Sequence, residues 1–197
     1  MTLRALRPVL LLLALALLVA CASGPGGRLQ TAGAVKVYDM TLDTSLDWAR
    51  IRLRRSEVWT IDGTPLNRLA IFSGVRPGEH VFLLGRERRS RPDGPWYRAG
   101  MRLDELQALV VDGLRDQHWV GIQTDNLRPH RFGNVDGLRF DLELTNPSGL
   151  IYRGTAAVAE RNGRLTVLLW MAPREHYHGR DVAAVDAMLD SMRFTAR

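Results

Sequence analysis

Cysteine, lysine and long apolar runs are scarce in this sequence, and each scarcity excludes something. One cysteine, Cys21, stands among 197 residues, so no internal disulfide can form and no cysteine cluster can hold a metal. One lysine, Lys36, leaves a single candidate for Schiff-base or phosphate-loop chemistry, and it lies in no glycine-rich loop. The longest apolar run, Val9 to Ala20, has 12 residues, short of the roughly 20 that cross a bilayer. No serine lies in a Gly-x-Ser-x-Gly setting, and His80, His118 and His130 stand alone. A catalytic triad can be assembled from any parts of a chain, but no spacing here supports one. What is present is a composition of 46% hydrophobic and 24% charged residues, that of an ordinary globular chain of one domain.

The amino terminus has the features of an export signal. Arg4 and Arg7 precede the Leu/Ala run, which ends in Leu18-Val19-Ala20-Cys21. This pattern resembles the lipobox of bacterial lipoproteins. The resemblance implies removal of residues 1–20 and acylation of Cys21 by a diacylglyceryl group and a further acyl chain such as palmitate. Two or more acyl chains anchor stably where one does not, at about 0.8 kcal/mol per buried methylene. Ala22 in place of an acidic residue favours, by resemblance to enterobacterial sorting, the outer membrane, with the domain facing the periplasm.

Processing would remove two arginines and no acids, leaving 25 basic against 21 acidic residues, a balance of +4. A basic balance ordinarily suggests nucleic acid. Export argues against that partner, and anionic envelope components or an acidic protein face are the better candidates. Residues 21–33 carry glycine and proline without periodicity and read as the lipidated cysteine and a flexible tether, with a single domain over residues 34–197.

Within that domain, Val35 to Tyr38 with Met40 suggest a first strand, and Trp48 to Leu53 a second, placing Arg50, Arg52 and Arg54 on one face. Glu57–Thr60, Leu66–Phe72 and Val81–Leu84 read as further strands. Leu103, Leu106, Leu109, Val110 and Leu114 recur at helical spacing behind Asp104 and Glu105, predicting a helix over 103–117. Strands follow at Trp119–Gln123, Leu138–Thr145, Leu150–Glu160 and Arg164–Met171. Asn162-Gly163 between the last two is a strong hairpin signal. A final helix runs over 181–192, with Asp181 able to cap it.

The sum is an α+β domain, an antiparallel β-sheet with one mid-chain and one C-terminal helix packed on it. Its order resembles the PsbP-like fold. The resemblance is carried by Glu57-Val58-Trp59-Thr60-Ile61-Asp62-Gly63, Gly137-Leu138-Arg139-Phe140, Asn162-Gly163-Arg164-Leu165-Thr166-Val167 and Met188-Leu189-Asp190-Ser191-Met192-Arg193-Phe194. It brings no catalytic motif, and implies an accessory role in assembling or stabilising larger complexes.

Two clusters could carry chemistry. Glu175-His176-Tyr177-His178, with Asp181 beyond, holds the residue types that ligate zinc or a related divalent ion. His176, His178 and Asp181 are the candidate ligands, although the spacing matches no zincin and a solvated loop has the same composition. Asp141 and Glu143 share a strand face, as acid–base pairs do, but Arg139 beside them suits a neutralised surface equally. Arg86, Arg88, Arg89, Arg91, Trp96, Tyr97 and Arg98 form an arginine-rich exposed loop with two aromatics, the preferred partner-binding region. Trp48, Trp59, Trp119 and Trp170 lie within apolar patterns and read as core. The expectation is a lipid-anchored, non-catalytic envelope accessory protein without cofactor. The alternative is a periplasm-facing ligand-binding, metal-binding or hydrolytic domain acting on envelope material.

Overall fold

The computed structural model describes residues 27–195. The signal-like segment, Cys21 and the first part of the expected tether lie outside the described residues. The alternating and apolar segments form strands β1 (Arg28–Gln30), β2 (Gly33–Val37), β3 (Met40–Thr44), β4 (Trp48–Arg52), β5 (Ser56–Thr60) and β6 (Arg68–Val75). After a long loop come helix α1 (Leu103–Asp116) and strands β7 (Val120–Phe132), β8 (Val135–Thr145), β9 (Ile151–Arg161) and β10 (Arg164–Pro173). A wide turn of π geometry, Arg174–His178, leads into α2 (Gly179–Asp190), and β11 (Arg193–Phe194) follows.

Eight strands make one antiparallel sheet in the order β1-β4-β5-β6-β10-β9-β8-β7, and β11-β3-β2 make a second, smaller one. In β10, Leu165 to Pro173 are all buried. The strand lies well inside the sheet with cover on both faces, which is why its sequence is a nearly continuous apolar run instead of an alternation. On one face, Trp59, Ile71, Leu168 and Trp170 pack under the small sheet and the Val185, Met188 and Leu189 stripe of α2. On the other, Phe140, Val158, Val167 and Leu169 pack under Leu106, Leu109, Val110 and Leu114 of α1 and under Val81, Phe82 and Tyr97 of the long loop.

The expected α+β architecture with its two helices is therefore present. Asn162 and Gly163 both take positive φ, 53° and 66°, as a two-residue hairpin turn between β9 and β10 requires. Several boundaries differ from the sequence reading. Order begins before residue 34: β1, inside the expected tether, pairs Leu29 with Ala49 and Gln30 with Trp48. The first predicted strand is a hairpin, β2 and β3, turning at Tyr38, which adopts φ 52°. Val81–Leu84 is a turn: Val81 and Phe82 are buried against a helix and not by strand pairing, and Leu84 is exposed. An added Cβ at Gly113 of α1 would lie 2.4 Å from Val81 and 2.8 Å from the Phe82 ring. Trp119–Gln123 proves to be the start of the 13-residue edge strand β7.

α1 packs against β7 and β8. On the same sheet face, Ile51 of β4 and Val58 of β5 are only partly buried. Cover on this face is thus uneven, complete over β8 to β10 and thin toward β1.

Candidate functional site

His176, His178 and Asp181 are the ligands expected of a divalent-ion site, and the structure gives them separate surroundings. Asp181 does not cap α2 but lies in its first turn, 4% exposed. There it accepts a 2.6 Å hydrogen bond from Asn67 Nδ2 and pairs with Arg180 at 2.7 Å. Asn67 in turn accepts from Trp170 Nε1 at 3.1 Å, so Asp181 closes a buried polar chain that ties α2 to β10. His178 stacks on Trp170 with ring centroids 5.1 Å apart, while exposed His176 lies edge-on to Tyr177. Among the described residues no group of three His, Cys, Asp or Glu side chains is placed to hold a metal ion.

The arginine-rich loop is likewise reorganised. Trp96 and Tyr97 are 7% and 0% exposed, so they belong to the core and are not a platform for a partner. His80 meets Trp96 edge-on, and Trp96 Nε1 donates to the Arg91 carbonyl at 3.0 Å. Arg91 pairs with Asp116 at the end of α1, and Arg98 with Glu87 at 2.7 Å. Arg86, Arg88 and Arg89 remain as exposed guanidinium groups with no ion pair among the described residues. They are the part of the expected partner region that the fold leaves accessible.

The most polar cleft, about 670 Å³, opens between β7, β8 and β9 on one side and the start of α2 on the other. Asp125, Asp141, Glu143, Arg153, His178 and Asp186 face it. Asp141 and Glu143 share a face as the period of two requires, but neither carboxylate is free. Asp141 accepts from Asn126 Nδ2 at 2.9 Å and lies 3.7 Å from Arg128. Glu143 accepts from Arg153 at 2.8 Å, with Arg174 at 3.5 Å, and its hydrogen bond from Arg153 holds it below the usual carboxylate range. Asp186 pairs with Arg139, whose side chain is 1% exposed and also bonds Asp190 and Thr155. Burial, then the nearby Arg153, lower the His178 pKa, so the ring is neutral near pH 7. The cleft can present hydrogen-bonding groups to a docked molecule, and three of its four carboxylates, Asp141, Glu143 and Asp186, are engaged by neighbouring side chains.

Arg139 departs from expectation, because the face it shares with Asp141 and Glu143 is partly roofed by α2 and not open to solvent. The ladder expected of Arg50, Arg52 and Arg54 is present in its first two members. Arg50 and Arg52 close on Glu57 at 2.7 and 2.9 Å, while Arg54 lies past the end of β4 and is exposed. Burial alone would raise the Glu57 carboxyl, yet hydrogen bonds from Trp59, Arg50 and Arg52 hold it below its ordinary value. Asp125, Arg153 and Asp186, which complete the cleft, come from separate elements. Local spacing has no access to that convergence.

No protein-family model and no curated protein matches this chain. Among solved structures it is similar to cyanobacterial PsbP (CyanoP) from Synechocystis sp. PCC 6803. The TM-score is 0.50 at 10% identity, over 87% of this chain and 94% of that one. A crystal structure from Bacteroides thetaiotaomicron gives 0.49 at 6% identity over 85% of this chain, which spans about 50% of that longer chain. LpqN, involved in cell envelope biogenesis of Mycobacterium tuberculosis, gives 0.36 at 9% identity over 88% of this chain and 87% of that one. The likeness to CyanoP, with the strand and helix order above, identifies the fold as a PsbP-like α+β fold.

Proposed function

We propose that this protein is a lipid-anchored, non-catalytic accessory of the cell envelope that holds a PsbP-like domain at a membrane surface for another envelope protein. The observation that carries the reading is the state of the polar cleft: Asp141, Glu143 and Asp186 are each already engaged by a neighbouring side chain. Carboxylates so neutralised suit a docking surface better than proton transfer. The lipobox Leu18-Val19-Ala20-Cys21 supplies the anchor in this reading, and Ala22 favours the outer membrane. The partner-facing surface is the far edge of the large sheet. There β7 lies at the edge with most of its side chains exposed, beside the cleft, the kind of strand other chains use for docking.

The test is cross-linking in intact cells followed by affinity capture and mass spectrometry, comparing the tagged protein with Cys21→Ser. The expected result is one envelope complex recovered in fixed proportion with the acylated form and lost from the variant. The absence of a reproducible partner would overturn the accessory reading.

A further inference from the structure

The half of the sheet that α1 leaves uncovered has an unusual surface. Leu53 and Leu84, 53% and 61% exposed, are among the most exposed large apolar side chains of the described residues, with Leu29 at 65%. Leu53 and Leu84 line one shallow groove of about 180 Å³ with Val58, Phe72 and Arg68. Register places Leu29 beside Ala49 on the same sheet face, and the ladder Ile51–Val58–Ala70–Leu169 floors it. Isolated exposed leucines need no explanation, but a contiguous apolar strip does.

Its charges are of one sign. Arg68 sets its side chain among these apolar groups with no carboxylate at ion-pair distance among the described residues, and burial lowers its pKa. Arg86 lies two residues beyond Leu84 and is exposed, whereas Arg54 turns toward Arg52 and Glu57 on the other side of the sheet. The two segments are held together, since Arg55 pairs with Glu79 at 2.7 Å and the backbones of Glu79 and Arg86 meet in an isolated antiparallel β-bridge. Leucines beside arginines without ion pairs match the boundary between acyl chains and anionic headgroups.

The chain also enters here. The backbone of Gly27 runs over β4, where an added Cβ would lie 3.4 Å from Ala49 and 3.5 Å from Ile51. Five residues lie between Cys21 and Gly27, and the six steps of chain, at about 3.3–3.6 Å each, reach no further than about 22 Å.

From these three observations we propose that the Leu29–Leu53–Leu84 face, with Arg68 and Arg86, is the membrane-contacting surface of the domain and rests on an anionic lipid bilayer. It lays the domain flat against the bilayer instead of leaving it hanging from the tether. This rests on the anchored reading above, and one experiment separates the two. Because Cys21 is the sole cysteine and is consumed by acylation, the full chain carrying Leu84→Cys has one free thiol for an environment-sensitive fluorophore. Leu127→Cys, at the opposite edge of the sheet, is the matched control. On vesicles of phosphatidylcholine mixed with phosphatidylglycerol, the label at 84 shifts to the blue and brightens while the label at 127 stays aqueous. The shift is weakened in Arg86→Glu, an exposed position whose exchange leaves the core intact. Equal behaviour of the two labels, or the same shift on pure phosphatidylcholine, overturns the proposal. The mass of the Cys21 peptide decides the anchored reading separately: an unacylated cysteine removes the anchor, and Leu84→Cys placed in a Cys21→Ser chain, again with a single thiol, then decides the face on added anionic vesicles.

Discussion

Arg139 shows what burial does to a charge in this fold. Its side chain is 1% exposed, and the charge is tolerated because α2 lays Asp186 and Asp190 across it and Thr155 accepts from Nη2, with Nε alone left unbonded among the described residues. Removing partners from a buried ion is far more costly than removing a surface pair. Asp186→Asn together with Asp190→Asn should therefore lower unfolding free energy by about 3 kcal/mol in urea titration; a change under about 0.5 kcal/mol would mean that the pairs are ordinary surface contacts. The histidines give a second residue-scale prediction. His80, His130 and His178 are each shifted down from the ordinary value, with burial the largest cause. The unfolded chain then binds protons that the folded chain refuses. Their contribution is complete above the unfolded value of about 6.5 and is lost as pH falls below it toward the folded values. Glu57 and Glu79, both held low, are lost in the same direction at lower pH. Melting temperature should fall between about pH 7.5 and about pH 5.5, and fall less in His178→Phe. A melting temperature that rises on acidification would contradict this.

At the scale of elements, the joint between α1 and the long loop is closely packed. Gly113 leaves room for Val81 and Phe82, which a methyl group would occupy. Gly113→Ala should destabilise by about 1–3 kcal/mol despite alanine's better helix propensity. A stabilised variant by thermal melt would show that the loop yields there. The same joint explains where sequence reading succeeded and where it did not. β8, β9, β10 and both helices were legible because long periodic or apolar runs have one structural solution. The short runs Val81–Leu84 and Arg28–Gln30 were not. Four apolar residues serve a strand or a turn under a helix equally well, and three residues pair as β1 only because β4 offers an edge. Trp96 and Tyr97 misled for a related reason: an arginine-rich composition describes the rim of a loop, while its aromatics face the core. The polar cleft was half legible, with Asp141 and Glu143 readable as one strand face, and Asp125, Arg153 and Asp186 arriving through tertiary contacts.

For the whole molecule, the eight-stranded sheet has two unlike edges. β1 is the edge by which the chain enters, next to a face of leucines and arginines. β7 is the opposite edge, long, polar and bordered by the cleft. Both faces of β6, β10 and β9 are committed to core, and under the proposed anchoring the molecule would act as a spacer with one end for the bilayer and one for a partner. The most direct measurement of that polarity places a photo-cross-linking residue at Leu127 or at Leu84 of the acylated protein in living cells. The account predicts that the Leu127 position captures one envelope protein and the Leu84 position captures lipid. Protein capture from Leu84 with none from Leu127 would contradict it.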